Sequence, residues 1–439
     1  MSINEDLYLF PVSTKITPAG HLAVANLDIE ELAARYGTPL YIYDAATIRN
    51  QIQSLQGCLK TWYPGPASIA YAVKAYFSYA FARHIAPLGL GADVVSLGEI
   101  LIANKAGMPA DGIHLHGNNK TEEELTAALE WGIQAIVVDS LDELQFLDGL
   151  ASRLQKKARI WLRITPDLRV NTHPHIETSA ADSKFGLHLQ NGQAAEAIRY
   201  AQKSDWLNLV GLHTHLGSQL FDPIPYQRAV EMLFELAERE NYIPEELSPG
   251  GGWGVPYIPN DHENDCEAWV KTVSEAIQKH CNRLNWPLPR LILEPGRWIV
   301  ARAGMAIYRV GSQKITVNEN HIVSVDGGMA DNPRTALYQA EYTARIVQRA
   351  NAKPINEVRI VGKFCESGDV LIPHVNLPEV FRGDLLAVPV AGAYQISMSS
   401  NYNLATRPAV LWVDDGKVEV MQQRERPELS GWWTGIPQT

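Results

Sequence analysis

The sequence predicts an α/β protein that combines a (β/α)8 TIM-type barrel with a second, all-β domain. In the middle of the chain, short β-branched runs alternate with longer helical patterns, which is typical of parallel βα units. Polar and glycine-rich residues fall where the predicted strands end, as they do on the C-terminal face of a barrel. After about residue 305, strands recur without long helices, which indicates the second domain.

Eight stretches are predicted to be barrel strands, and seven helical stretches lie between them. The stretch TEEELTAALEWG (121–132) illustrates the helices, because it begins with Thr and carries acids in its first turn. The predicted strands are SIAYAVKA (68–75), GADVVS (91–96), IHLHGN (113–118), AIVVD (135–139), ARIWLRI (158–164), LVGLHTHLGS (209–218), ELSPGGG (246–252) and RLILEPG (290–296).

The chain of 439 residues is longer than a single hydrophobic core usually organises, so two domains are expected. Short apolar stretches before the first helix suggest that the N-terminal segment joins the β domain. The predicted division is therefore an N-terminal segment at 1–44, a (β/α)8 barrel at 45–304 and a β domain at 305–439. The predicted strands of the β domain are AIYRVGSQKITV (306–317), HIVSVDGG (321–328), EVRIVGKF (357–364), LLAVPVAG (385–392) and VLWVDDGKVEV (410–420).

Composition excludes several function classes and indicates a compartment. A net charge of −11 argues against a nucleic-acid or anionic-membrane surface. No apolar run approaches the roughly 20 residues that span a bilayer, and MSINEDLYLF is not typical of a secretory signal. The cysteines are widely spaced and form no CxxC pair, so a reducing cytoplasm is expected. They are Cys58, Cys266, Cys281 and Cys365.

Two motifs on the predicted barrel offer a nucleophile and a phosphate site. Lys74 ends the strand YAVKAY (71–76), where burial would favour a nucleophilic amine suited to a Schiff base; a lysine that emerges into solvent is the alternative. In SPGGGWG (248–254), the backbone N–H groups of Gly250, Gly251 and Gly252 could surround a phosphate. A tight turn is the alternative, because the GxGxxG and GK[ST] spacings are missing.

Two further motifs supply charged and aromatic groups. In EPGRWIVA (294–301), Glu294 could bond to a protonated ring nitrogen and Arg297 to a phosphate or carboxylate, unless the two form a structural ion pair. HTHLGSQ places His213 and His215 on one face of a strand. A zinc pair is discounted for lack of a third ligand at recognisable spacing. His215 suits stacking on a cofactor ring, and His213 suits a core position.

The predicted β domain contains two motifs of its own. In CESGDVL (365–371), Cys365 offers a proton donor and Glu366 an anion for a cationic group, although a buried structural cysteine is the usual alternative. In GAYQISMSSNYN (392–403), Tyr394 follows two small residues that could leave room for a ligand; a packed aromatic is the alternative.

Together and in this order, these motifs resemble the fold-type III pyridoxal 5'-phosphate (PLP) decarboxylases, and among them the diaminopimelate decarboxylases. The resemblance spans roughly residues 38 to 412 and rests on seven motifs. It implies a PLP-binding barrel, a β domain and a homodimer whose active sites are shared between subunits. The motifs are YAVKAY, GADVVSLGE, HTHLGSQ, PGGGWGVPY, EPGR, CESGD and GAYQISMSSNYN.

The resemblance also implies roles for individual residues. Lys74 matches the Schiff-base lysine, His215 the residue stacked on the ring and Glu294 the partner of the pyridine nitrogen. Cys365 matches the proton donor, which comes from the second subunit. The remaining implied cofactor-binding residues are Asp93, Ser218, Gly250, Gly251, Gly252, Gly296, Arg297 and Tyr394.

The substrate is indicated by a second set of matches. In GGMADNPRTALY (327–338), Arg334 and Tyr338, joined by Arg297, match residues that hold the distal carboxylate of diaminopimelate, and Glu366 matches the acid that binds its distal amine. HPHIETSAADSKFGL (173–187) resembles the diaminopimelate-type loop before the sixth strand. Tyr394 also belongs to the implied substrate-binding set, and no metal is expected.

Several positions depart from the family pattern, so other functions stay open. The alternatives are a decarboxylase for ornithine, arginine or a carboxylated siderophore precursor, an amino-acid racemase on the same fold, and a non-catalytic PLP-binding protein. A racemase would need a second acid/base on the opposite face of the ring. The departures are Trp253, Ala330, Thr335, Lys363 and Phe364.

Overall fold

A computed structural model of the protein describes residues 6–166, 183–261 and 264–429. The chain forms two compact units. One comprises Met1–Gln51, Val255–Glu263 and Ile299–Thr439, and is called the β unit below; the other comprises Ile52–Gly254 and Asn264–Trp298, and is called the barrel unit. The boundaries at residues 44 and 304 stay a prediction, because a compact unit need not coincide with a functional domain.

The barrel unit contains a closed ring of eight parallel strands. Each strand pairs with the next, and the last pairs with the first, which removes the exposed edges that an open sheet would have. All eight predicted strands and the barrel fold are thereby confirmed. The strands are Ala67–Ala72, Gly91–Val94, Ile113–Leu115, Ala135–Val138, Ala158–Thr165, Leu207–His213, Glu246–Gly250 and Arg290–Leu293.

A helix lies in each of the connections between these strands. Thr121 caps the third of them in the predicted manner, because its hydroxyl accepts from the Glu124 N–H while the Glu124 side chain bonds back to the Thr121 N–H. The helices are Tyr79–Ile85, Leu97–Lys105, Glu122–Trp131, Leu141–Leu154, Gln193–Ala201, Ile224–Arg239 and Cys266–Leu284; Ala45–Trp62 precedes the first strand and Arg297–Val300 follows the last.

Trp161 fills the interior of the barrel. Its side chain is fully buried, and its indole N–H donates to Glu246 Oε2 at 2.7 Å. Small neighbours make room for it: Ala70 and Ala135 belong to the same core cluster, and a Cβ at Gly211 would lie 2.7 Å from the Trp161 ring. The interior is therefore packed rather than hollow, and a ligand can bind only at the strand ends above it.

The β unit is built around one large sheet. Leu40–Asp44 lies between Gly304–Ile315, to which it is antiparallel, and Ala409–Asp414, to which it is parallel. The N-terminal segment thus joins the β sheet, as predicted. Val370–Leu377 and Arg345–Ile346 are strands that the sequence did not predict. The remaining strands are His321–Val325, Asn356–Val361, Leu385–Val388 and Lys417–Gln422.

The N-terminal residues also form a small sheet of their own. Its strands are Lys15–Ile16, Leu22–Val24 and Leu27–Asp28. Asp28 then caps the helix Ile29–Tyr36 by accepting a hydrogen bond from the Glu30 N–H, which satisfies a donor that the helix leaves open. Leu22 and Val24 are fully buried in the core cluster that also contains residues of the large sheet, so this segment is an integral part of the β unit.

Among the described residues, no helix combines the length and apolar character that crossing a membrane requires.

Two thiols of the barrel unit lie close enough to react with each other. The Sγ atoms of Cys58, in the helix Ala45–Trp62, and Cys266, at the start of Cys266–Leu284, are 3.4 Å apart. We expect oxidised glutathione to join them through two successive thiol–disulfide exchanges, releasing two molecules of glutathione. The closed loop of roughly two hundred residues should raise the Tm by several degrees.

Mass spectrometry of the oxidised protein and a thermal scan check this expectation. Cys58→Ser should abolish the rise in Tm, whereas Cys281→Ser, which alters a buried cysteine without touching the pair, should keep it. An unchanged mass after prolonged oxidation would contradict the prediction.

Candidate active site

Lys74 lies at the C-terminal end of the first barrel strand. It occupies the middle of a single 3-10 turn, Val73–Ala75, directly after Ala67–Ala72. Its side chain is exposed although Val73 and Ala75 are buried, so of the two alternatives left open by the sequence, a lysine that emerges into solvent at the strand end is the one that the structure shows. The physical reason is that the strand ends two residues before Lys74, and the turn leaves the amine accessible at the barrel mouth.

Glu294 lies at the end of the last barrel strand in a buried polar network. Its Oε1 accepts a hydrogen bond from the Ser248 hydroxyl at 2.5 Å, and its Oε2 lies 3.0 Å from His213 Nε2. Burial, followed by the negative charge of Asp93, raises the pKa of Glu294 to about 7. The carboxyl is therefore poised between its two charge states near neutral pH.

Asp93 is the permanent anion of this network. Its Oδ1 lies 3.4 Å from His114 Nδ1 and 3.5 Å from His116 Nε2. Burial alone would raise the pKa of Asp93, but interaction with His116 and His114 outweighs burial and lowers the pKa to about 2. Since Asp93 stays ionised, a second negative charge on the nearby Glu294 is unfavourable in the absence of a cation.

The side chains of His116, His213 and Glu294 converge at the barrel mouth. One potential ligand atom from each lies within 4.8 Å of the others. The sequence spacing did not reveal that a histidine and a glutamate from other strands lie beside His213. The three come from three different strands, so no local spacing could show them. Both oxygens of Glu294 already have hydrogen-bond partners, which explains the cluster without an ion.

His215 carries a neutral imidazole beside the glycine run. Its Nδ1 accepts a hydrogen bond from the Gly251 N–H at 3.4 Å, so the proton of the neutral ring belongs on Nε2. Loss of hydration, followed by the positive charge of Lys74, holds the pKa of His215 well below its usual value. A flat, uncharged ring next to the amine is what stacking on an aromatic ligand requires.

The glycine run allows three strand ends to approach one another closely. A Cβ at Gly251 would lie 1.9 Å from the Glu294 carbonyl oxygen, and one at Gly252 would lie 1.9 Å from that of Gly217. Any larger residue would push these strand ends apart. The expected role of the run in phosphate binding stays a prediction, and the structure adds a packing reason for the same residues.

Apart from Tyr394, which belongs to the β unit, the predicted phosphate-binding residues come from these same three strand ends. Arg297 Nη2 donates to Ser218 Oγ at 3.1 Å, which links the loop after the sixth strand to that after the eighth. Gly296 lies against the first strand, because a Cβ there would be 3.0 Å from the Ala72 carbonyl oxygen. Residues separated by many positions in the sequence thus form one polar cluster.

Cys365 and Glu366 lie in an exposed loop of the β unit, between Asn356–Val361 and Val370–Leu377. Asp369 holds this loop, because its carboxylate accepts from the Phe364 N–H at 2.8 Å and from the Met329 N–H at 2.6 Å. The CESGD and GGMADNPR motifs are therefore tied together by an aspartate to which the sequence reasoning gave no role. The only sequence signal for Asp369 was its place as the last residue of the CESGD motif.

Tyr394 is half-buried in a strained conformation. Its φ is +60°, a left-handed value that is costly for an aromatic residue and is often kept at functional sites. The expectation that Gly392 leaves room for a ligand is wrong, because a Cβ there would lie 1.8 Å from the Val300 carbonyl oxygen. The small residue serves close packing of the chain with itself.

Arg334 and Tyr338 are the first and last residues of the short helix Arg334–Tyr338. Arg334 is buried with 5% of its surface exposed, and its guanidinium lies 4.7 Å from the ring centre of Tyr257. Tyr338 is half-buried. Two of the predicted substrate-binding residues therefore lie on one short helix of five residues.

Two of the positions that depart from the family pattern have a packing explanation. The Thr335 hydroxyl donates to the Leu371 carbonyl at 2.9 Å, a bond that anchors the short helix to a strand. Trp253 is buried against Trp269 and Trp298, with ring centres 5.6 and 5.9 Å away. Both residues therefore have structural roles within their own units.

Part of the predicted loop at 173–187 lies outside the described residues, which resume at 183. Of the remainder, Phe185 lies under the Arg163 guanidinium at 4.3 Å, and the Gly186 N–H donates to Asp139 at 3.0 Å. The resemblance of this stretch to the diaminopimelate-type loop stays a prediction.

Ser248 and His114 are network residues that the sequence reasoning missed. Ser248 lies two positions before Gly250, and His114 two positions before His116, so each pair faces the same side of its strand. Applying the two-residue alternation to each barrel strand would have found both.

Comparisons with known proteins agree along nearly the whole chain. Residues 45–301 match the family model "Pyridoxal-dependent decarboxylase, pyridoxal binding domain". A diaminopimelate decarboxylase of Bacillus methanolicus is 41% identical over 425 residues, covering 96% of this chain and 98% of its own. The enzyme of that name from Bacillus subtilis is 42% identical over 414 residues, covering 93% and 94%.

A solved structure gives the same answer. The crystal structure of diaminopimelate decarboxylase from M. jannaschii in complex with L-lysine superimposes with a TM-score of 0.89 at 33% identity, covering 98% of this chain and 97% of that one. The chain belongs to the diaminopimelate decarboxylase family. The range that matches the pyridoxal-binding family model, residues 45–301, includes the whole barrel unit.

The donor set of the barrel fits the cofactor of the diaminopimelate decarboxylase family. Glu294 is 6% exposed, and its described partners are Ser248 and His213 rather than a lysine or arginine. A buried acid in that position suits the N–H of a pyridine ring. Lys74 supplies an accessible amine, and Arg297 with Ser218 a polar cluster for a phosphate. These residues would hold PLP.

In this family member, the raised pKa of Glu294 predicts a pH effect on the cofactor-free protein. The pKa of Glu294 is about 7 in the folded protein, above its ordinary value in the unfolded chain. The neutral carboxyl therefore favours the folded state, and this contribution is fully present at pH values below the unfolded pKa. As the pH rises through the folded pKa, this contribution is lost, and the free energy of unfolding falls by up to about 3 kcal/mol. We expect wild-type apoprotein to lose more stability than Glu294→Gln between pH 5 and pH 8.

Urea unfolding of the two apoproteins at both pH values measures this difference. Glu267→Gln, an exposed acid of the same unit, is the control and should behave as wild type. Parallel pH profiles for wild type and Glu294→Gln would show that Glu294 has an ordinary pKa.

Proposed function

We propose that this chain removes one carboxylate of meso-2,6-diaminopimelate as CO2 and releases L-lysine, the last step of lysine biosynthesis. The observation that carries the substrate assignment is Arg334. This buried guanidinium has no carboxylate within ion-pair distance among the described residues, so it suits an anionic ligand. A substrate whose side chain ends only in an amine, such as ornithine, would leave that charge unpaired.

When bound, PLP accepts the electron pair that remains on the α-carbon after CO2 departs. Lys74 would hold the cofactor through its amine and give it up to the amine of the substrate. Glu294 would accept a hydrogen bond from the N–H of the pyridine ring. Because Glu294 is buried, its negative charge would interact strongly with the protonated ring. The neutral ring of His215 would support the cofactor face, and Ser218, Arg297 and Tyr394 would bind its phosphate.

Residues of the β unit would act on the substrate. The thiol of Cys365 would deliver a proton to the α-carbon, so that hydrogen replaces the lost carboxylate. Arg334, Tyr338 and Arg297 would pair with the distal carboxylate, and Glu366 with the distal amine. Exposure of Cys365 and Glu366 on their loop is consistent with contact to a ligand.

The proposal includes a homodimer with shared active sites, in which Cys365 acts on the partner subunit's cofactor. Two inactive variants test this: Lys74→Ala and Cys365→Ala subunits, mixed after unfolding and refolding, should regain roughly a quarter of wild-type activity per total protein. The cytoplasmic location is also proposed, and it is favoured by the free thiols of all four cysteines.

CO2 release across a substrate panel tests the function. Purified protein with PLP should release CO2 from meso-diaminopimelate and form L-lysine. Preference for ornithine or arginine would favour the nearest alternative, and racemisation without CO2 would favour a racemase. PLP binding without turnover of any of these would favour a non-catalytic role.

A further inference from the structure

We infer that Tyr257 and Tyr342 are positioning residues that hold the Arg334 guanidinium for a substrate carboxylate and so set the selectivity of the enzyme. All three residues belong to the β unit. The inference rests on the proposed function, in which Arg334 pairs with the distal carboxylate of the substrate.

The two tyrosine rings bound the guanidinium on two sides. Arg334 Cζ lies 4.7 Å from the ring centre of Tyr257 and 5.7 Å from that of Tyr342. The rings themselves are 5.3 Å apart and stand at 88° to each other. Both distances are within the range of a cation–π interaction, which attracts the cation to each ring face.

A hydrogen bond fixes the orientation of the planar group. Arg334 Nη1 donates to the Tyr342 hydroxyl at 2.5 Å, so rotation about the side-chain axis would cost this bond. Tyr342 is 2% exposed and Tyr257 is 5% exposed, so neither ring can readily move aside. The guanidinium is thus held in one plane before a ligand arrives.

The tyrosines hold the charge without neutralising it. Buried arginines are normally paired with an acid, yet the described residues place no carboxylate at Arg334, and its Nε is buried without a hydrogen-bond partner. An aspartate or glutamate in place of either tyrosine would occupy the guanidinium fork. Two neutral aromatic residues instead leave the charge of the guanidinium uncompensated, which favours pairing with a carboxylate from outside the chain.

Selectivity follows from this arrangement. A ligand with a carboxylate gains a charge-assisted hydrogen bond with a group that is already oriented, whereas a ligand without one leaves a buried cation unpaired. Loosening the tyrosines should therefore weaken the binding of carboxylate-bearing ligands and leave the chemical step almost unchanged.

Three variants of the full-length, PLP-loaded enzyme test the inference. Tyr342→Phe should raise the KM for meso-diaminopimelate about tenfold, with kcat within about twofold of wild type. Tyr257→Leu should have a similar effect. Tyr257→Phe, which keeps the ring face and loses only the hydroxyl that also bonds to Arg334, should have a smaller one. Inhibition by L-lysine should weaken in parallel, whereas inhibition by 1,5-diaminopentane, which has no carboxylate, should not change.

Tyr242→Phe is the matched control, because it removes a buried hydroxyl that bonds to the Leu209 carbonyl in the barrel unit. It should leave KM and kcat unchanged. Thermal unfolding of every variant separates misfolding from altered binding. Wild-type KM and L-lysine inhibition in folded Tyr342→Phe and Tyr257→Leu would overturn the inference, and so would a fall in kcat alone. Absence of diaminopimelate turnover by the wild type would instead overturn the proposed function.

Discussion

Replacing Lys74 with alanine is expected to lower the rate of CO2 release by more than about a thousandfold. The loss is large because the amine both tethers the cofactor and takes part in each exchange with the substrate, so no neighbouring group can take over its work. Lys74 is accessible at the strand end, and His215 feels its charge, which indicates that the amine lies next to the proposed ring site. Steady-state CO2 release at saturating PLP measures the effect.

The matched control is Lys60→Ala, which removes an exposed lysine from the helix Ala45–Trp62. It should retain wild-type turnover and the yellow colour of the loaded protein. Treatment with borohydride should fix PLP to the wild type but not to Lys74→Ala. A Lys74→Ala protein that keeps normal turnover would exclude the assignment of the cofactor lysine.

Replacing Arg334 with glutamine is expected to lower kcat/KM for meso-diaminopimelate by about a hundred- to a thousandfold. Loss of one partner of a buried charged pair costs several times more than loss of a surface pair, since the remaining carboxylate would be desolvated without compensation. Arg334 is almost fully buried, so solvent cannot replace the lost contact. Most of the effect should appear in KM rather than in kcat.

Arg382→Gln, which alters an exposed arginine of the same unit, is the control for the change in charge. Inhibition by L-lysine provides a second measurement that does not depend on turnover. If Arg334→Gln kept the affinity of wild type for both ligands, the distal carboxylate would have to bind elsewhere.

The sequence predicted the frame of the molecule well. Parallel strands buried on both sides are short apolar runs with a polar residue at one end, so each barrel strand could be recognised by itself. The β sheet was predicted less completely: Arg345–Ile346 has only two residues, and Val370–Leu377 contains a proline, which is unfavourable in strands. Neither could be recognised from its local pattern.

The candidate site was predicted as a set of residues but not as an arrangement. The resemblance named Glu294 and Asp93, yet the coupling between them depends on burial and on two histidines, His114 and His116, from a third strand. The exposure of Lys74 depends on where a strand ends to within two residues, which a sequence pattern does not resolve. The self-packing of Gly392 involves a backbone oxygen nearly a hundred positions away, to which no motif refers.

The central position of Leu40–Asp44 has a consequence for how the protein is made. A ribosome delivers this strand early, whereas both of its sheet neighbours, Gly304–Ile315 and Ala409–Asp414, emerge late. The nascent chain therefore carries an unpaired strand whose five residues are all buried in the folded protein, while the barrel strands are already available to one another. Stalled or C-terminally truncated chains should accordingly depend on chaperones, and aggregate through this strand when chaperones are scarce.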